Sequence, residues 1–135
     1  MKIVNAIGVL LFVLFAWFQR NDIDPEIYYH ASEIDSVLWF LFYLLIAGMF
    51  MMAIFREAPI WLLALGVLAC VVEMAMSGPG LWENVFGDAE FNMTQGGINA
   101  EDPRVELSRE FFGALIALAA VLFLWWQRRR VAKQG

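Results

Sequence analysis

The sequence predicts an all-α fold: an antiparallel four-helix transmembrane bundle with a short interfacial helix in the second outer loop. Three observations predict it. Of 135 residues, 61% are hydrophobic and 17% charged, against about 45–50% and about 25% in soluble domains. The apolar residues gather into four runs separated by polar segments. Each run, with its flanks, supplies the ~20 residues (roughly 17–25) that cross a ~30 Å hydrocarbon core. The whole chain, 1–135, is expected to form one transmembrane domain.

The first span, 3–19, follows Lys2 and looks like a secretory leader. Trp17 and Phe18 fill the positions where cleavage requires small residues, so the segment is expected to stay as a helix. The second span, 37–55, ends in the Met-rich stretch "GMFMMAIF", read as packing rather than copper ligation. "FREAP" is a tight turn, so the second span and the third, 59–77, are expected to form a helical hairpin. The fourth span, 104–126, opens with Asp102 as N-cap and Pro103 at the first helical position. The outer loops are 20–36 and 78–103. Within the longer one, Leu81, Trp82, Val85 and Phe86 fall at helical spacing, the pattern of an amphipathic helix lying on a membrane surface. "MTQGGINAEDP" after it is polar and turn-rich.

Short loops rich in Lys and Arg stay on the cytoplasmic side. Lys2, Arg56, Arg128, Arg129, Arg130 and Lys133 lie on one side; Arg20, Arg104 and Arg109 lie on the other. Both termini are therefore expected in the cytoplasm, and a bacterial inner membrane is the expected location. The expected partners are the lipid bilayer and either a membrane-protein partner or a second copy of the chain. So few basic residues beside a membrane do not suit nucleic acid. Cys70 is the sole cysteine and His30 the sole histidine, which excludes a disulfide framework, a thiolate metal centre and bis-histidine haem ligation within one chain.

The candidate site begins where the first span breaks into "FQRNDIDPEIYYH". Gln19, Asn21, Asp22 and Asp24 stand at its outer end. The fourth span starts on the same side with "RVELSREFFG", in which Glu106, Arg109, Glu110 and Gly113 recur at i, i+3, i+4 and i+7 and so share one helical face. Ala117 and Ala120 continue that face, and small residues let helices approach closely in a bilayer. The first and fourth spans are expected to meet there. Arg109 would pair with Asp22 or Asp24, and Arg109→Ala would then cost more stability than Arg104→Ala. Glu73, inside the third span, either joins this network or reaches the outer interface. Ser36 and Tyr43 of the second span can reach the same zone. His30 reads as part of an interfacial girdle with Tyr28 and Tyr29.

These two motifs resemble the transmembrane protein 220 family, small four-helix membrane proteins of bacteria and animals. In that family the first span ends in Gln-x-Asn-Asp-Pro-Asp, and the last begins with an Arg-Glu pair followed by Gly. The resemblance places the family's polar positions on Gln19, Asn21, Asp22, Asp24, Arg109, Glu110 and Gly113. Ile23 stands where the family has Pro, Pro25 follows, and the loop before Trp39 is longer. The resemblance implies a fold and a polar site, and it brings no activity with it.

Three function classes follow. The preferred one is a structural or accessory membrane protein whose polar cluster clasps two spans. The alternative is a binding protein for a divalent cation or a small polar ligand at that cluster, with Asp22, Asp24, Glu106 and Glu110 as oxygen ligands suited to Ca²⁺ or Mn²⁺. No other cofactor is expected. A membrane enzyme with a carboxylate base and Arg109 as oxyanion stabiliser is the third class, and no Ser or Cys nucleophile motif supports it.

Overall fold

The computed structural model describes residues 1–20 and 23–132. Asn21, Asp22 and Lys133 lie outside the described residues. The element order is α1 (Lys2–Gln19), α2 (Glu33–Phe55), α3 (Ile60–Phe86), a single 3₁₀ turn (Gln95–Gly97) and α4 (Arg104–Ala132). All four α-helices are long and apolar enough to cross a membrane. The chain therefore runs up, down, up and down. One end of the bundle, the loop end, carries residues 23–32 and 87–103; the other carries the termini and the 56–59 turn.

Local signals explain the boundaries. Ser32 caps α2, its Oγ accepting from Asp35 N at 2.9 Å, and Glu33 and Asp35 in the first turn favour the positive end of the helix dipole. Ser36 Oγ donates to the carbonyl of Gln19. One of the carbonyls that α1 leaves unpaired at its end is thereby satisfied by α2. Asp102 Oδ1 accepts from Arg104 N at 3.3 Å, closing the start of α4.

α3 corrects the expectation of a separate interfacial helix. It continues without a break through "GPGLWENVF" to Phe86, with Pro79 inside it. A proline inside a helix removes one backbone bond and crowds the preceding turn, which weakens a helix by ~3 kcal/mol or more. Packing against α4 offsets this. Gly80 lies so close to Leu107 that a Cβ there would collide with it. One turn on, Asn84 is 1% exposed and its Nδ2 donates to Ser108 Oγ at 2.9 Å. At 27 residues, α3 spans about 40 Å, longer than the ~30 Å hydrocarbon core. In its last turns the rings of Trp82 and Phe86 meet in a tilted contact, centroids 4.5 Å apart, and both are exposed.

The pairing of helices also differs from expectation. α1 packs along α2 and α3 along α4; α2 touches α4 and, less extensively, α3. α2 and α3 are joined by the tight turn but are not each other's main partner. The core where the two pairs meet contains Phe12, Ile46, Met49, Leu63, Ala117 and Val121, all at most 1% exposed. The reason lies in side-chain size. The "FREAP" turn fixes only that α2 and α3 are antiparallel, whereas the small residues Gly66, Cys70, Ser77, Ala114 and Ala117 are buried on α3 and α4 and allow that pair to close tightly.

α1 and α4 are also joined at the terminal end of the bundle. Asn5 is 1% exposed. Its Nδ2 donates to Ala53 O at 3.0 Å and to Gln127 Oε1 at 3.2 Å, and Gln127 Nε2 returns a bond to Asn5 Oδ1 at 2.8 Å. Nearby, Arg128 pairs with Glu57 at 3.2 Å and donates to Ala58 O at 2.9 Å. The terminal end of the bundle is thus closed by polar bonds among α1, α2, α4 and the 56–59 turn.

Candidate functional site

At the loop end the helices enclose a cavity of about 720 Å³. Its walls come from α1 (Phe15, Phe18, Gln19), α2 (Asp35, Ser36, Trp39, Tyr43) and α4 (Glu106, Arg109, Glu110, Phe112, Gly113, Ile116). Tyr28 and His30 from one loop and Met93, Gln95 and Ile98 from the other complete it.

Glu106 organises the polar end. It is 7% exposed. Its Oε2 accepts from Tyr29 N at 2.6 Å and its Oε1 from His30 N at 3.0 Å. One carboxylate therefore holds the backbone of the 23–31 loop against α4, and each oxygen keeps further acceptor capacity. This clamp brings His30 over α4. One ligand atom each from His30, Glu106 and Glu110 lies within 4.8 Å of the others. Glu106 and Glu110 meet because they are four residues apart on one helix face. The two loops are joined above the cavity, where Gln95 Nε2 donates to Tyr28 Oη at 3.0 Å.

Gly113 sets the depth at which α2 and α4 approach. A Cβ at this position would collide with the Tyr43 hydroxyl, so only glycine lets that phenol reach the α4 backbone. Below it, Phe12, Phe15, Trp39, Phe42 and Tyr43 form a chain of aromatic contacts, with ring centroids 5.3–6.2 Å apart. Of these, Phe15, Trp39 and Tyr43 line the cavity, with Phe12 and Phe42 packed against them to give a stiff apolar surface.

Of the site residues expected from sequence, the structure brings Gln19, Glu106, Arg109 and Glu110 to the cavity wall. Asp24 is not brought there. It is exposed, and its Oδ1 accepts from Glu26 N at 3.0 Å while its carbonyl accepts from Ile27 and Tyr28 N. The residue shapes its own turn, as Asp commonly does. Glu73 does not line the cavity either; it lies half-buried on α3, which contributes nothing to these walls. The expectations for Asn21 and Asp22 fall outside the described residues. His30, read from sequence as part of an interfacial girdle, and Asp35 and Gln95, which are not among the expected site residues, line the cavity as well; Asp35 is close enough to His30 and Glu106 to interact with both electrostatically.

A second polar group at this end has a different purpose. Arg104 Nη1 donates to Asn84 Oδ1 at 3.0 Å and to Glu90 O at 2.7 Å, and its Nε pairs with Asp102 at 2.7 Å. Asn84 also holds Asn92, by Nδ2 to the carbonyl at 2.7 Å and by Oδ1 from the amide at 3.1 Å. The 87–103 loop is pinned to α3 and α4 in this way. The Arg104 side chain is 14% exposed, whereas Arg109 is exposed, which favours the opposite ranking of the two arginines. Arg104→Ala should lower stability in detergent by about 2–3 kcal/mol, the value of a few charge-assisted hydrogen bonds, and by more than Arg109→Ala. A chemical-denaturation series on both variants checks this; a larger loss for Arg109→Ala would contradict it.

Four apolar helices, three of which wall a polar-ended cavity together with the two loops, define a polytopic membrane protein with a pocket at one end of its bundle. The chain belongs to Transmembrane family 220, helix, whose profile matches residues 11–126. Neither a curated protein nor a solved structure matches it.

Proposed function

We propose that the protein binds a divalent cation at the loop end of the bundle, through His30, Glu106 and Glu110. The observation that carries this reading is the convergence of these three donors, within 4.8 Å of one another, on the wall of a cavity. Around a metal with bonds of about 2.0–2.2 Å, neighbouring donor atoms stand roughly 3–3.5 Å apart, so a small inward movement of exposed His30 closes the set. An imidazole with two carboxylates suits Mn²⁺ or Zn²⁺ better than Ca²⁺, which prefers oxygen alone. Arg109 on the same wall opposes a second positive charge and limits affinity. The structural or accessory reading rests on the Glu106 clamp, which ties loop to helix whatever the cavity holds.

Thermal melting separates the two. After chelation, Mn²⁺ or Zn²⁺ should raise the melting temperature in proportion to the logarithm of its concentration; at 100 times Kd the gain is about 2.7 kcal/mol. His30→Ala should abolish the response while leaving the metal-free melting temperature almost unchanged, because the side chain is exposed. A melting temperature indifferent to both ions would leave the structural clasp as the reading.

The same end of the bundle is proposed to face away from the cytoplasm in a bacterial inner membrane. The charge bias supports this: Arg128, Arg129 and Arg130 cluster at the terminal end of α4, the sign expected on the cytoplasmic side. In a Cys70→Ser background, Asp88→Cys should react with an impermeant maleimide in intact cells and Arg130→Cys should not. The opposite labelling pattern would invert the orientation.

A further inference from the structure

The cavity changes character along the bundle axis. Its loop end is charged, with Asp35, Glu106, Arg109 and Glu110. Deeper, α1 presents Phe15 and Phe18, and α4 presents Phe112 and Ile116. Ile116 lies ten residues beyond Glu106 on α4, roughly 15 Å deeper, about half of a ~30 Å hydrocarbon core. α1 and α4 are tied at the terminal end by Asn5 and Gln127 but do not pack along each other. At the loop end the space between them is the cavity itself. Phe18, Phe112 and Ile116 line it and are at the same time 60%, 38% and 44% exposed. With so little packing between α1 and α4, these partly exposed lining residues mark the seam through which the cavity can open toward the bilayer.

We propose that this cavity seats a phospholipid whose headgroup carries both a phosphate and an ammonium, as in phosphatidylethanolamine, entering between α1 and α4. Charge selects this occupant. Arg109 on α4 meets the phosphate, since guanidinium is well suited to phosphate oxygens. Asp35 on α2 meets the ammonium. A headgroup with net negative charge faces the carboxylates of Asp35, Glu106 and Glu110 with one guanidinium to offset them. A sterol hydroxyl leaves the charged wall without a counterpart, and a small aqueous ligand leaves the aromatic half unfilled. The cavity volume falls within the ~300–1,000 Å³ of ligand pockets, enough for a headgroup and the upper part of one chain. The rest of the lipid remains in the bilayer. The headgroup contacts fall on Arg109 and Asp35, neither of which is among the three proposed metal ligands; only the discrimination against anionic headgroups also draws on Glu106 and Glu110.

The test uses the full chain in phosphatidylglycerol vesicles containing a trace of phosphatidylethanolamine with a diazirine in its upper acyl chain. After photolysis, label at Phe15, Phe18, Phe112 and Ile116 is compared with label at Leu68 and Val72, which are exposed on α3 at 60% and 46% and line no part of the cavity. The expected result is a several-fold excess at the cavity residues. Unlabelled phosphatidylethanolamine should remove the excess, and further phosphatidylglycerol should not. Arg109→Gln and Asp35→Asn should each reduce it, and Ile116→Trp, which fills the seam from the lipid side, should reduce it without touching the charged end. The Leu68 and Val72 signal serves in every variant as the measure of an intact bundle. The excess should persist in chelator, which separates it from the cation reading. A ratio near one in the unmodified protein, or equal displacement by phosphatidylglycerol, would overturn the proposal.

Discussion

Glu106→Gln is expected to cost about 2–4 kcal/mol of stability and to free the 23–31 loop. The carboxylate is almost fully buried and accepts one backbone N–H on each oxygen, from Tyr29 at 2.6 Å and His30 at 3.0 Å. Hydrogen bonds to a charged group are worth about 1.5–3 kcal/mol each. The amide keeps one acceptor and turns an NH₂ toward the second N–H, so one bond is lost and two donors confront each other. The loss should appear in chemical denaturation, and amide exchange should accelerate at residues 23–31 before it does in α4. Glu110→Gln, which leaves both of those backbone bonds in place, should not accelerate exchange in the loop. A Glu106→Gln protein with unchanged exchange over 23–31 would show that the loop is held by other contacts. The same variant should also lose the proposed cation response, because Glu106 is one of the three donors.

Gly113→Ala is the second large effect. The added methyl would occupy the position of the Tyr43 hydroxyl, and overpacking of this kind costs about 1–3 kcal/mol. The obstruction is a single oxygen atom; the ring carbon that bears it is 3.5 Å from the added Cβ, an ordinary contact. Removing that oxygen should therefore relieve the strain. Gly113→Ala/Tyr43→Phe is expected to be more stable than the sum of the two single changes allows, by about 1 kcal/mol or more in a double-mutant cycle. Additive effects would place the Gly113 constraint elsewhere than at the phenol. This pair lies at the depth where α2 and α4 converge, so the strained single variant should also narrow or distort the cavity.

Both effects are centred on α4, and they divide differently between sequence and structure. The face shared by Glu106, Arg109, Glu110 and Gly113 follows from helical periodicity, which is a local property. So do the four spans and their alternating directions, because bilayer thickness sets a length that apolar runs either meet or miss. The breakdown of the first span into Gln19 and its polar successors is legible for the same reason. These readings need no knowledge of which helix touches which.

Neighbour relations are another matter. Nothing in the sequence of α1 or α4 tells that they diverge at the loop end and are joined through Asn5 and Gln127 at the other, since the energy of that contact depends on two residues more than a hundred positions apart. An amide pair of this kind contributes about 0.6 kcal/mol on average, up to about 1.7, in a membrane, too little to mark either residue by composition. The fate of Pro79 was equally hidden. Local propensity favours ending a helix there, and Asn84 packing on Ser108 and Gly80 packing on Leu107 outweigh it. His30 is the clearest case. In sequence it is an interfacial residue beside two tyrosines; it becomes a candidate ligand because Glu106 draws its backbone onto α4. Sequence determined the lengths, directions and faces of the helices, because those depend on solvent and on a period of 3.6 residues. Tertiary packing alone decided which polar groups share the cavity, because a hydrogen bond across the chain is won by distance in space and leaves no period to read.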